Sequence, residues 1–146
     1  MKRHLKSIAG VTLLEIMLVL AIASMVIVMS IRYYQNATNA ENANIILEEI
    51  QNITAAADNL SQGSGTFSSV NSTNVGSIAG TKNMMTPYGG TSTFTITSGS
   101  GSYTVSVGTM PPSVCSALFT KLTINSKFSN VTCTSGTLAY TYSSTS

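Results

Sequence analysis

The feature that most constrains this chain is an unbroken apolar run from Val11 to Ile31, close to the N-terminus. The run contains one charged residue, Glu15, and no glycine or proline. As a helix rising about 1.5 Å per residue, it would be about 30 Å long, which matches the hydrocarbon core of a bilayer. The sequence therefore predicts a membrane-spanning helix over residues 11–31.

Basic residues on either side of this run predict its orientation. Lys2, Arg3 and Lys6 precede the run, whereas Arg32 alone follows it directly. Cytoplasmic flanks of membrane helices carry the excess of lysine and arginine. We therefore expect the N-terminus in the cytoplasm and the rest of the chain on the outer side.

A cleaved secretory signal peptide and a plain signal anchor are two alternative interpretations. The run is longer than the core of an ordinary signal peptide, and an amphipathic pattern continues directly after it. The run alone does not exclude a plain anchor. Glu15 favours a role beyond anchoring. Placing a carboxylate in a membrane segment costs free energy, and an isolated anchor gains nothing from the charge in return. If the chain is cut after Gly10, Glu15 of one subunit can pair with the new ammonium at Val11 of its neighbour.

The basic N-terminal residues, the hexapeptide Gly10–Glu15 (GVTLLE) and the apolar run together resemble the prepilin peptidase signal of type IV pilins. The resemblance implies that residues 1–10 are a leader peptide and that the peptidase cuts between Gly10 and Val11. It further implies N-methylation of Val11 and a role for Glu15 in subunit register during assembly. Valine as the first mature residue resembles the type IVb class, although this leader is shorter than typical type IVb leaders.

A helical pattern continues beyond the apolar run. Alanine, isoleucine and leucine recur at spacings of three or four from Ala37 to Leu60, which predicts one apolar stripe. Residues 62–65 (QGSG) supply breakers, so we expect the helix to end near Ser61. The sequence thus predicts a single long helix with a membrane and polymerisation half at 11–31 and an amphipathic half at 32–60.

Residues 61–146 are predicted to form a globular, β-rich head. Alternating apolar residues on either side of a Ser/Gly turn indicate a hairpin, and a short helix and two further strands follow. The predicted fold is α+β, with the long helix packed on a small antiparallel sheet, and the head resembles type IVb pilins of thin conjugative pili. The predicted head elements are strands at 94–96 and 103–107, a helix at 114–122, and strands near 131–133 and 138–142.

Cys115 and Cys133 are the only cysteines, and both lie in the part predicted to be exported. Disulfides form in oxidising compartments outside the cytoplasm, so we predict that the two cysteines are bonded. Two separate buried thiols are the alternative. Two thiols without further ligands give little support to a metal site.

The distribution of ionisable residues argues against catalysis. The only histidine, His4, lies in the predicted leader, and no acidic residue follows Asp58. The mature chain would therefore lack an imidazole for acid–base chemistry or metal binding. We expect no enzyme activity and no cofactor. The basic residues of the head are too few to indicate a nucleic-acid partner.

The resemblance implies a structural subunit of an extracellular type IV pilus, serving attachment, aggregation or conjugation. The expected partners are other copies in a helical homopolymer, prepilin peptidase, the inner-membrane assembly machinery, the bacterial inner membrane before assembly, and a host or bacterial surface. A minor pilin or a type II secretion pseudopilin would share the N-terminal signal. A signal-anchored periplasmic binding module is the alternative from a different class.

Overall fold

The computed structural model describes residues 12–80, 86–88 and 94–143, and its α+β composition agrees with the prediction. Contacts divide the chain into two units, one ending at Ala37 and the other beginning at Thr38. The elements in chain order are α1 (Leu13–Ser64), α2 (Ser72–Ala79), β1 (Phe94–Ser98), β2 (Ser102–Val107), α3 (Pro112–Thr123), β3 (Phe128–Thr134) and β4 (Thr137–Ser143).

The described part of the first unit is the beginning of α1. Every side chain from Thr12 to Ala37 is exposed, although most of those up to Ile31 are apolar. The hydroxyl groups of Ser24 and Ser30 donate to the carbonyl oxygens of Ala21 and Val26, each at 2.8 Å, so their polar atoms are satisfied within the helix. This segment is long and apolar enough to cross a membrane.

The C-terminal end of α1 lies beyond the predicted position. The helix continues to Ser64, and Gly65 follows in the left-handed conformation with a φ of 68°. The amide of Gly65 donates to the carbonyl oxygen of Ser61 at 2.6 Å, which satisfies an orphan carbonyl of the last turn. Gly63 was expected to break the helix but lies within its last turn, so the left-handed glycine marks the end.

The second unit contains a four-stranded antiparallel sheet in the order β1-β2-β4-β3. The predicted hairpin is confirmed as β1 and β2, and the two later strands and the helix α3 are also present. Register places Ile96 opposite Val105 and Val105 opposite Tyr140, so these buried side chains lie in a row on one face.

The apolar stripe of α1 packs in the core of the second unit, as the spacing predicted. Ile46, Ile50 and Ile53 are fully buried and belong to one hydrophobic cluster with the inward residues of the sheet and of α3. Ala37, at the start of the predicted stripe, is exposed. The residues of α1 that are buried in this core are Ala43, Ile46, Ile50, Ile53, Ala56 and Ala57.

The helix α2 occupies a stretch that the sequence indicated only as a loop with short elements. The side chain of Asn71 caps it by accepting from the amide of Asn74 at 2.9 Å, and Gly80 ends it with a φ of 73°. The hydroxyl of Ser72 accepts from the amide of Ile96 at 3.0 Å. The helix therefore covers part of the outer edge of β1.

The turn between β3 and β4 gives a stability prediction. Gly136 has a φ of 77°, and a Cβ added there would collide with the backbone carbonyl of Met110. Gly65, with a φ of 68°, has no atom within 4 Å of such a Cβ. We expect Gly65→Ala to lower the free energy of unfolding by about 1 kcal/mol, the cost of left-handed backbone alone. Gly136→Ala should cost at least about 2 kcal/mol, because the collision adds to that cost.

Chemical denaturation of the full-length protein in mild detergent, followed by circular dichroism, measures both variants. Equal losses for Gly136→Ala and Gly65→Ala would contradict the close approach of Met110.

Candidate functional site

The predicted cleavage site lies outside the described residues, since these begin at Thr12. This applies to Gly10, to Val11 and to the basic residues before them. The assembly residue Glu15 is described, and it lies exposed in the first turn of α1. A negative charge at this position interacts favourably with the helix dipole.

Thr12 is a local partner of Glu15 that sequence reasoning missed. The amide of Glu15 donates to the Thr12 carbonyl oxygen at 2.9 Å and faces the Thr12 hydroxyl oxygen at 3.4 Å. The spacing of threonine and glutamate is that of a capping box, and it could have been read from the sequence. Among the described residues, no basic group forms an ion pair with the Glu15 carboxylate. The backbone at Glu15 is therefore fixed, while its charge is unpaired within this part of the chain.

The apolar residues after Glu15 surround the helix on all sides. Four large apolar side chains within one and a half turns, Leu18, Val19, Leu20 and Ile22, are each 58–63% exposed. A helix that packs on a soluble core has one apolar stripe, whereas a helix that is apolar all round is enclosed by lipid or by other helices. This segment of α1 has the second pattern.

The predicted disulfide between Cys115 and Cys133 is present. Cys115 lies on α3 and is fully buried, whereas Cys133 lies on the edge strand β3 and is exposed. The bond ties α3 to this strand, and the alternative of two free thiols is excluded. Within residues 12–80, 86–88 and 94–143, no cluster of three or more His, Cys, Asp or Glu side chains could hold a metal ion.

Polar contacts join the second part of α1 to α3. The ammonium of Lys121 donates to the Asn44 side-chain oxygen at 2.7 Å, and the Asn39 amide donates to the Ser113 hydroxyl at 3.3 Å. Both bonds lie at the surface and connect residues that are far apart in sequence. These two bonds link α1 to α3 at the surface of the second unit.

A small polar pocket of about 230 Å³ lies near the C-terminal end of α1. The buried hydroxyl of Tyr142 donates to the Asp58 carboxylate at 3.1 Å in its wall. Burial raises the pKa of Tyr142 to about 12, and the nearby Asp58 charge adds to the effect. The contact thus provides a buried phenol with a charged acceptor. The residues that line the pocket are Asp58, Ser61, Gln62, Lys127 and Tyr142.

Glu49 gives a second stability prediction. One of its carboxylate oxygens is buried without a hydrogen-bond partner. Burial, together with the neighbouring Glu48, raises the pKa of Glu49 above its ordinary value. Because the charged form is the disfavoured one, Glu49→Gln should raise the free energy of unfolding at pH 7, by a few tenths to about 0.5 kcal/mol since solvent screens a group that is only partly buried.

The gain requires the charged form, since a raised pKa in the folded state favours folding as pH falls through that pKa. The benefit of Glu49→Gln over the wild type should therefore disappear in acid. Glu41→Gln is the matched control, because Glu41 is exposed on the same helix and does not contribute to the raised pKa of Glu49. Denaturation curves at pH 7 and in acid test the prediction. An equal gain in the free energy of unfolding for the two variants at pH 7 would contradict it.

Comparison of the chain with protein-family models, with curated proteins and with solved structures finds no match.

Proposed function

We propose that this chain is a type IV pilin-like subunit, held in the inner membrane as a precursor, cut between Gly10 and Val11, and assembled into an extracellular filament. The observation that carries the proposal is the composition of α1, which runs without a break from Leu13 to Ser64. Its first part is apolar all round and exposed, whereas its second part has one buried stripe. A subunit stored in lipid and later packed among other helices needs both surfaces in one helix.

In this proposal, the exposed apolar side chains contact lipid in the precursor and the helices of neighbouring subunits in the filament. Dense packing of those side chains provides cohesion along the fibre. The Glu15 carboxylate pairs with the ammonium at Val11 of a neighbour, and this pair sets axial register. An unpaired charge in such a core costs several kcal/mol, so misregistered subunits are disfavoured.

Two alternative functions are consistent with part of these observations. A minor pilin or a type II secretion pseudopilin would have the same signal and helix, and its abundance along the fibre shaft would distinguish it from a major subunit. A signal-anchored binding module is less consistent with α1, because modules of that kind are usually separated from their anchor by a linker. Such a module would also remain uncut.

Substitution of Glu15 tests assembly directly. Glu15→Gln keeps the bonds that the backbone amide of residue 15 donates to Thr12, and glutamine is as suitable as glutamate at this position, but the substitution removes the charge. We expect the variant to be cut normally and to remain in the membrane, with roughly one tenth or less of the wild-type amount in sheared surface fibres. Glu41→Gln is the control, since Glu41 is an exposed acid on the same helix within the second unit. Fibre yield of Glu15→Gln equal to that of Glu41→Gln would overturn the role of this carboxylate.

A further inference from the structure

Three consecutive residues directly after the apolar run have no role in the assembly proposed above. They are Arg32, Tyr33 and Tyr34. Tyr33 is 79% exposed and Tyr34 is 72% exposed, and Arg32 is exposed as well. None of the three forms a side-chain hydrogen bond or ion pair with another described residue. Two large aromatic side chains are therefore presented outward with their hydroxyl groups free to bind a ligand.

The arrangement around the helix indicates the shape of the partner. Consecutive helical residues are separated by about 100°, so these three side chains cover about 200° of the circumference. A groove on a protein partner would instead contact residues spaced at three and four along one face. We name Arg32, Tyr33 and Tyr34 the collar, and its breadth suits surroundings that enclose the helix on most sides.

The position of the collar along the helix matches the thickness of a bilayer. Glu15 and Tyr33 are separated by about 27 Å along the axis, close to the hydrocarbon thickness of about 30 Å. When Glu15 lies at one boundary of the hydrocarbon region, the collar lies at the other. Tyrosine prefers this boundary, because its ring enters the apolar region while its hydroxyl remains hydrated.

Arg32 provides the charge that lipid phosphate would bind. A cation on the outer flank opposes the positive-inside rule, so its presence weakens the orientation signal of the N-terminal basic residues. A guanidinium can bind a phosphate through two parallel hydrogen bonds, which gives this cation a favourable role on the outer side.

We propose that the collar binds phospholipid headgroups on the outer side of the membrane and fixes the depth of the precursor helix. This inference rests on the proposed function in one respect, the storage of the precursor in the membrane. It does not depend on leader cleavage or on filament formation.

Tryptophan fluorescence can test the depth, because the chain contains no tryptophan. The full-length protein would be placed in vesicles of phosphatidylcholine with some phosphatidylglycerol, with bromine on the lipids either near the headgroup or near the acyl-chain ends. Tyr34→Trp reports on the collar, Met25→Trp on the middle of the span, and Phe119→Trp on α3. We expect shallow bromine to quench Tyr34→Trp more strongly than deep bromine, the opposite order for Met25→Trp, and no quenching of Phe119→Trp.

Each other outcome has a distinct meaning. If Met25→Trp is quenched but Tyr34→Trp is not, the helix spans the membrane with its collar in water or on a protein partner, and the collar proposal is wrong. If neither is quenched, storage in the membrane is itself wrong. Adding Arg32→Gln to Tyr34→Trp should lower the ratio of shallow to deep quenching at least about twofold, since one phosphate contact is lost. An unchanged ratio would show that Arg32 makes no contact with lipid phosphate.

Discussion

Removal of the disulfide is expected to lower the free energy of unfolding by about 3 kcal/mol. The two cysteines are separated by 18 positions, and cross-linking a loop of this size restricts the unfolded chain by that amount in the chain-entropy account. The appropriate variant combines Cys115→Ala with Cys133→Ser, because Cys115 is buried among apolar side chains and Cys133 is exposed. The edge strand β3 should loosen first, since the bond ties it to α3.

Urea denaturation of the full-length protein in detergent, with and without a reducing agent, measures this loss. The wild type should become less stable on reduction, whereas the double variant should not respond to the reducing agent. A loss below about 1 kcal/mol would show that the contacts of β3 with β4 already hold the strand in place, and the structural importance assigned to the disulfide would be wrong.

The free energy of unfolding of the head is expected to fall steeply at alkaline pH. Tyr103, Tyr140 and Tyr142 are buried, and burial raises the pKa of each phenol, that of Tyr142 to about 12. In the unfolded chain these phenols ionise near pH 10. Because the folded pKa values are the higher ones, the stability that the uncharged phenols contribute is complete below about pH 10. It is lost as pH rises through the folded pKa values. Three such groups give a slope of about 4 kcal/mol per pH unit once the unfolded phenols have ionised.

Circular dichroism and the absorbance of tyrosinate, recorded together from pH 8 to 12, test this prediction. The loss of structure should coincide with the ionisation of the buried phenols. Tyr142→Phe should reduce the alkaline slope by about one third, and at neutral pH it should cost about 1.5–3 kcal/mol for the lost bond to Asp58. Ionisation of all tyrosines near pH 10 with the fold intact would contradict the burial of these side chains.

The elements of the fold that could be predicted are those in which apolar residues recur with a regular local spacing. The hairpin strands alternate over a period of two, and the isoleucines of α1 recur every three or four residues, so each element carries its own signal. The helix α2 was not predicted as an element because it has only eight residues, too few to establish a period. Its signals were the cap at Asn71 and the left-handed Gly80, and these are side-chain and backbone features of single residues.

Long-range contacts were beyond the reach of the sequence. The bond between Tyr142 and Asp58 joins residues 84 positions apart, and that between Lys121 and Asn44 joins residues 77 apart. Their proximity depends on how β4 and α3 pack against α1 in the second unit, which no local pattern specifies. The disulfide could be predicted because the chain has only two cysteines and therefore one possible pairing.

In the proposed function, a peptidase cuts this chain after Gly10 and the product enters a filament. Intact mass measurement and N-terminal sequencing of the protein from sheared surface fibres and from membranes test it most directly. We expect fibres whose subunit begins at N-methylated Val11 and is two hydrogens lighter than the reduced chain. A chain that retains Met1 and occurs in the membrane fraction alone would contradict cleavage and assembly and would favour a signal-anchored module.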